Sequence, residues 1–240
     1  MNISTFWIGG KQNVISVLNE NICLEVLIDE KRKDIKNYKI FNKVKFVSKK
    51  LIDKKFFNLP GYNHQGFAAY IKYENIYEIN EFFKLKKNTD IIALDDLQDI
   101  GNYGTIIRSC VAFGINTILL NKNKLTKKLP IIFKNSAGSF KDINIIYTSN
   151  IFNEIIKFQK NNFSVISLDT KTNNSLKKFK WSDKNLIILG SEDKGIKKNI
   201  LKKSDYIIKI EIEKNSESLN VAQAASICMY DLVSKRNKLI

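Results

Sequence analysis

From residue 91 onward the chain alternates short apolar runs with segments whose apolar positions recur at helical spacing. The runs cover 91–94, 117–120, 143–147, 164–168, 186–189 and 206–210. Six candidate strands separated by helices predict an α/β domain whose largely parallel sheet is covered on both faces. Residues 7–73 read differently. A helix is expected over 13–18, strands over 22–28 and 45–47, and helical spacing continues over 49–57. After the turn Leu59-Pro60-Gly61, His64-Gln65-Gly66 leads into a strand over 67–71, completing a small αβ module. Glu, Asn and Lys with few small apolar residues over 73–87 suggest a short helix or a linker. The expected organisation is a module over 1–75, a linker over 76–88 and the larger domain over 89–240.

Polar residues gather where strands of the larger domain end. Asn102-Tyr103-Gly104-Thr105-Ile106-Ile107-Arg108-Ser109 follows the first run after a polar turn and reads as helix. The run 186–189 ends in Gly190-Ser191-Glu192-Asp193-Lys194-Gly195, a loop bracketed by glycines. Ser218-Leu219-Asn220-Val221-Ala222 opens the last helix, expected over 219–235 with Ser218 as a natural N-cap. The free N–H groups of a first helical turn receive polar ligand atoms. In open parallel sheets ligands bind at the carboxyl ends of the strands, so the three segments can converge on one site. Taken singly, each is also an ordinary loop or capped helix.

Charge narrows the partner class. The chain has 40 Lys and Arg against 24 Asp and Glu, a formal net charge of +16, which favours a polyanion through counterion release. Nucleic acid leads that class, although the abundance of Lys, Asn and Ile also fits a biased coding sequence. With 240 residues, 44% of them hydrophobic, the chain can build real cores. Cys23, Cys110 and Cys228 are far apart, and His64 is the one histidine, so no metal site is expected and the cysteines fit a reducing compartment. Without a leader-like start or an apolar stretch of membrane-spanning length, a soluble cytoplasmic protein is expected.

In order and content the three polar segments resemble the motifs of the SpoU (TrmH-type) branch of the SPOUT methyltransferases: N-x-G-x-x-x-R-[ST] at 102–109, G-x-E-x-x-G at 190–195 and S-L-N-V-[AS] at 218–222. The likeness runs from about residue 90 to the C-terminus. It implies a deep C-terminal trefoil knot, pairing into a homodimer, and S-adenosyl-L-methionine as methyl donor to RNA. One departure is visible: the family commonly has glycine after the motif-two glutamate, where this chain has Asp193. If that position needs a left-handed backbone, Asp is among the residues that tolerate it. Trp7-Ile8-Gly9-Gly10 ahead of Val14 and Leu18, and His64-Gln65-Gly66 ahead of Ala68, resemble the ribosomal-protein-like RNA-binding domain of the RlmB-type 23S rRNA guanosine 2′-O-methyltransferases. That module favours an rRNA enzyme over the TrmH-type tRNA enzymes, which lack it.

The resemblance also assigns roles. Arg108 activates a ribose 2′-hydroxyl, either as a base or by stabilising the forming alkoxide, and the second role suits a guanidinium better. Asn102 holds the ribose, orients Arg108 or caps its helix. Glu192 pairs with Arg108 or Asn102, while Ser218 and Asn220 line the substrate side. Gly190, Ile210 and Leu219 are the cofactor contacts: Gly190 by allowing close backbone approach, the other two as an apolar wall for adenine. As core residues Ile210 and Leu219 would look the same. Two alternatives stay open: a tRNA 2′-O-methyltransferase with the same mechanism, and a non-catalytic RNA-binding or ribosome-assembly protein. His64, a lone histidine before a glycine turn, is read as a structural hydrogen-bonder.

Overall fold

The computed structural model describes residues 4–85, 90–122, 126–213, 215 and 218–236. Strands β1 (Ser4–Gly9), β2 (Cys23–Asp29), β3 (Val44–Val47) and β4 (Phe67–Tyr73) form a four-stranded sheet in the order β1-β4-β2-β3. Helix α1 (Lys11–Val17) buries Val14 and Val17, and α2 (Lys49–Lys55) buries Ile52. Strand β1 was not among the expected elements. With Ser4, Thr5 and Gly9 in six residues its apolar signal is weak, and antiparallel pairing with β4, from Ser4 opposite Tyr73 to Gly9 opposite Ala68, is what makes it a strand.

The second sheet contains β5 (Ile76–Glu78), β6 (Ile91–Asp95), β7 (Thr117–Asn121), β8 (Asn144–Thr148), β9 (Ser164–Leu168), β10 (Asn185–Gly190) and β11 (Tyr206–Ile208). Their order is β11-β9-β10-β6-β7-β8-β5, and every pairing is parallel. Both faces are buried, which explains the uninterrupted apolar runs. Ile92, Leu94, Ile118, Leu120, Ile187 and Leu189 enter one core, while the alternate residues Ile91, Ala93, Leu119, Leu186 and Ile188 enter another. Helices α4 (Ile100–Ala112), α5 (Leu129–Asn135) and α8 (Val221–Lys235) cover the first face through Ile106, Ile132 and Leu232. Helices α3 (Ile79–Lys84), α6 (Ile151–Lys160) and α7 (Lys198–Lys203) cover the second through Phe82, Phe158 and Ile200. Among the described residues no helix is long and apolar enough to cross a membrane.

Of the two expectations for 73–87, the short helix is the one the structure shows, with an edge strand ahead of it. Residues 76–78 are the edge strand beside β8, and 79–84 form a helix closed by a capping box between Glu78 and Glu81. Their signal is weak because β5 is only three residues long. Residues 86–89 lie outside the described residues.

The two sheets are joined by packing rather than by a tether. Tyr73 Oη lies 3.0 Å from Phe140 O and 2.6 Å from Ile143 O, Tyr62 Oη donates to Pro130 O at 3.2 Å, and Asn13 Nδ2 donates to Lys134 O at 3.2 Å. Buried residues of both units form one continuous apolar cluster. Close approach also fixes the motif-one glycine: a Cβ on Gly104 would stand 2.5 Å from Ile132 O, so only glycine lets α4 meet α5 at this distance.

Candidate active site

The carboxyl ends of β9 and β10, the segment following β11 and the approach to α8 surround a cavity of about 360 Å³. Leu189, Ile210, Leu219 and Val221 give it apolar surface, and Ser191, Glu192, Ser218 and Asn220 give it polar groups. Size and mixed lining suit a nucleoside-sized ligand. The motif-two loop turns tightly over its rim: Gly195 N donates to Ser191 O at 2.9 Å, with Gly195 at φ +63°. A Cβ on Gly190 would stand 2.5 Å from Gly195 O. The immediate demand for glycine at 190 therefore comes from the loop folding back over it, beyond any approach of a ligand. Asp193 is not among the residues with positive φ, so the left-handed conformation considered for it is not required.

A chain of side-chain hydrogen bonds crosses all three motifs. Asn220 Oδ1 accepts from Ala222 N at 2.8 Å, which leaves its Nδ2 to donate to Asn102 Oδ1 at 3.3 Å. Asn102 Nδ2 then donates to Glu192 Oε1 at 2.6 Å, and Gln98 N donates to Glu192 Oε2 at 3.1 Å. Each amide orientation follows from its neighbour, since a carboxylate only accepts. Desolvation pushes the Glu192 carboxyl up, but hydrogen bonds from the backbone of Gln98, its own backbone, the Asn102 amide and the backbone of Asp99 outweigh that and hold it below the ordinary glutamate value.

Two capping expectations change. Asn220, not Ser218, caps α8, because its side chain reaches the second N–H of the helix; Ser218 lies before the cap on the cavity wall, and the helix starts at Val221. Asp99 rather than Asn102 caps α4, accepting from Gly101 N, which leaves Asn102 buried in the first turn and free for the network. Glu192 pairs with Asn102 and not with Arg108. Arg108 lies outside the cavity lining, exposed on α4, and has no hydrogen-bond or ion-pair partner among the described residues. Gly190, Ile210 and Leu219 all line the cavity, the last two half-buried.

Other residues at the site carried no motif. Asp169, Thr170 and Lys171 line the cavity after β9, and Lys209 does so after β11. Their signal was position alone, at the carboxyl ends of strands. Asp95, 6% exposed at the end of β6, accepts from Lys197 Nζ at 3.0 Å and so ties the exit of the motif-two loop to the neighbouring strand.

A parallel sheet with polar loops meeting over a cavity at its strand ends defines an α/β ligand-binding domain of doubly covered type. The sequence pattern of the SpoU rRNA Methylase family matches residues 90–230, more than half of the chain, and the chain belongs to that family. An uncharacterized tRNA/rRNA methyltransferase of Borreliella burgdorferi is 29% identical over 192 residues, spanning 75% of this chain and 84% of that protein. The AdoMet-bound rRNA methyltransferase from Sinorhizobium meliloti has the same fold, with a TM-score of 0.75 at 19% identity over 98% of this chain and 88% of that one. The TrmH/SpoU tRNA modifying enzyme of A. aeolicus matches 63% of this chain and 77% of its own, with a TM-score of 0.56 at 21% identity.

Proposed function

We propose that this protein transfers the methyl group of S-adenosyl-L-methionine to a ribose 2′-hydroxyl of RNA, with a guanosine of 23S rRNA as the target. The observation that carries the reading is the hydrogen-bonded chain Asn220–Asn102–Glu192, which ties the three motifs together beside a cavity of nucleoside size. The donor brings a methyl group already activated by its sulfonium. Gly190, Ile210 and Leu219 hold it, Ile210 and Leu219 supplying the apolar wall. Ser218 and Asn220 orient the ribose from the same wall, and Asn102 with Glu192 keeps the two loops in register. Arg108 stabilises the negative charge that develops on the 2′-oxygen as its proton leaves for solvent.

A homodimer accounts for the position of Arg108. The exposed side of α4 and α8 carries Arg108 together with Ile227, 41% exposed, and Tyr230, 56% exposed, whose ring meets Phe113 edge-on at 6.2 Å. Pairing two copies there removes apolar surface from water and brings Arg108 to the partner's cavity. The trefoil knot of the SPOUT domain belongs to the same reading.

The N-terminal module acts in RNA binding. The rRNA enzyme of S. meliloti is matched along 98% of this chain and the tRNA enzyme of A. aeolicus along 63%, which supports rRNA over tRNA. The net charge of +16 supports RNA in either case, and the cytoplasm is where the substrate is met.

The test is methylation of total RNA from cells lacking the protein, by purified full-length chain with labelled S-adenosyl-L-methionine, followed by mapping. Label on one 23S guanosine is expected. Label in tRNA keeps the chemistry and changes the substrate, and no label despite donor binding turns the reading to an RNA-binding or assembly protein.

A further inference from the structure

At the edge of the seven-stranded sheet away from β5, three rings form a row. Phe179 meets Trp181 edge-on with centroids 4.9 Å apart and meets Tyr206 edge-on at 5.2 Å. Tyr206 opens the edge strand β11 and is 48% exposed, while Phe179 and Trp181 are half-buried. Beside them runs a groove of about 390 Å³ lined by residues 177–181 and 235–236, every one a Lys, Arg, Phe or Trp.

Some of these groups build the groove. Lys235 Nζ donates to the carbonyls of Leu176, Lys177 and Phe179 and pairs with Asp231 at 2.9 Å. Trp181 Nε1 donates to Asp231 Oδ2 at 2.9 Å, and Arg236 pairs with Asp90 and donates to Ser182 O. These bonds pin the loop 176–182 against the end of α8. Others are left over: Lys177, Lys178 and Lys180 are exposed, and their amines have no partner among the described residues. Three unpaired cations on four consecutive positions, with no carboxylate in the lining, concentrate positive potential that a polyanion relieves. The groove lies at the far end of α8 from the cavity, since that helix runs from Val221 on the cavity wall to Lys235 in the groove, about 20 Å at about 1.5 Å per residue, and the loop that forms the groove starts beside Ser175, which bridges to Lys209 of the cavity wall.

We infer that this groove holds an unpaired segment of the RNA, with phosphates on Lys177, Lys178 and Lys180 and a base stacked on Tyr206 beside Phe179. The inference rests on the RNA-methyltransferase reading above and names the surface that grips the strand. A row of aromatic rings flanked by cations takes bases that have left a stack, which a duplex does not offer.

The probe is a labelled single-stranded RNA oligonucleotide of mixed sequence, titrated into the full-length protein by anisotropy at several salt concentrations, with donor affinity measured in parallel. Tyr206→Ala is expected to weaken RNA binding by at least about fivefold, and Tyr206→Phe to retain it because the ring stays. Replacing Lys177, Lys178 and Lys180 together by Gln is expected to lower the slope of log K against log salt by about two. Donor affinity stays unchanged in each variant, which shows the fold intact. Unchanged RNA affinity and slope with donor binding retained would overturn the groove. Loss in the lysine variant that is equal for duplex and single strand, with Tyr206→Ala silent, would overturn the stacking and leave phosphate attraction alone. A wild-type protein that binds donor but no RNA would instead overturn the parent reading.

Discussion

Two polar residues that stand in glycine-bearing motifs end in opposite surroundings. His64 is 3% exposed, its Nδ1 accepts from Gly66 N at 3.0 Å and its Nε2 lies 2.8 Å from Asp53 Oδ1. Because Nδ1 accepts, the neutral ring carries its proton on Nε2 and donates it to Asp53, so both nitrogens are used inside the protein. Phe56 stacks against the ring at 5.8 Å. Arg108 is exposed on a helix anchored by Ile106, Ile107 and Cys110, with no partner among the described residues. A buried group with every hydrogen bond satisfied has nothing left for a substrate. A cation carried on a packed helix without a counter-charge has its full capacity free.

The comparison breaks first at Arg108. Arg108→Ala is expected to lower turnover by about 10²–10³-fold, the usual cost of removing one group that stabilises developing negative charge, while donor affinity stays as it was. Single-turnover methylation and calorimetry read the two effects separately, and undiminished turnover would take Arg108 out of the chemistry. His64→Ala moves the other quantity. It leaves Gly66 N–H without its acceptor and empties a stacked site, so stability falls by about 1–3 kcal/mol, seen as a lower urea midpoint, with turnover per folded molecule unchanged.

Glu192 stands between these extremes, bonded but at the surface. Its folded pKa lies below the ordinary 4.5, so the stabilisation is complete above that value and is lost as pH falls through the folded pKa. Stability measured by urea titration should therefore show no Glu192 step from neutral pH down to 4.5 and a small one below it, small because solvent screens an exposed carboxylate. Glu192→Gln should remove that step; a step that persists in the variant belongs to another group.

The parallel sheet was legible because each of its central strands is buried on both faces, and burial leaves an uninterrupted apolar run. β1 and β5 were not, because their identity comes from a neighbouring strand and not from their own side chains. Asn102, Glu192 and Asn220 were legible as a set through motif spacing, but the direction of their bonds was not. Which residue caps α8 depends on where the helix begins, and Ser218 and Asn220, two positions apart, are equally good caps by type. Asp169, Thr170 and Lys171 reach the cavity only because β9 lies between β10 and β11, an order the chain sequence does not follow.

The smallest expected effect sharpens the comparison most finely, at Asp193 in the motif-two loop. Asp193 is exposed and lies outside the residues with positive φ, so glycine's special conformation is not in use there. The residue in that loop that does use it is Gly195, at φ +63°. Asp193→Gly therefore gains nothing in the folded state and adds freedom to the unfolded chain, which costs about 0.4–1 kcal/mol. Donor affinity by calorimetry should be unchanged, with a slightly lower urea midpoint. Tighter donor binding in the glycine variant would mean that the loop needs a left-handed residue at 193 once the ligand is in place. The motif-two loop would then be a moving part, with Glu192 carried on it, rather than the rigid wall that its hydrogen bonds to Asn102 and Gln98 describe.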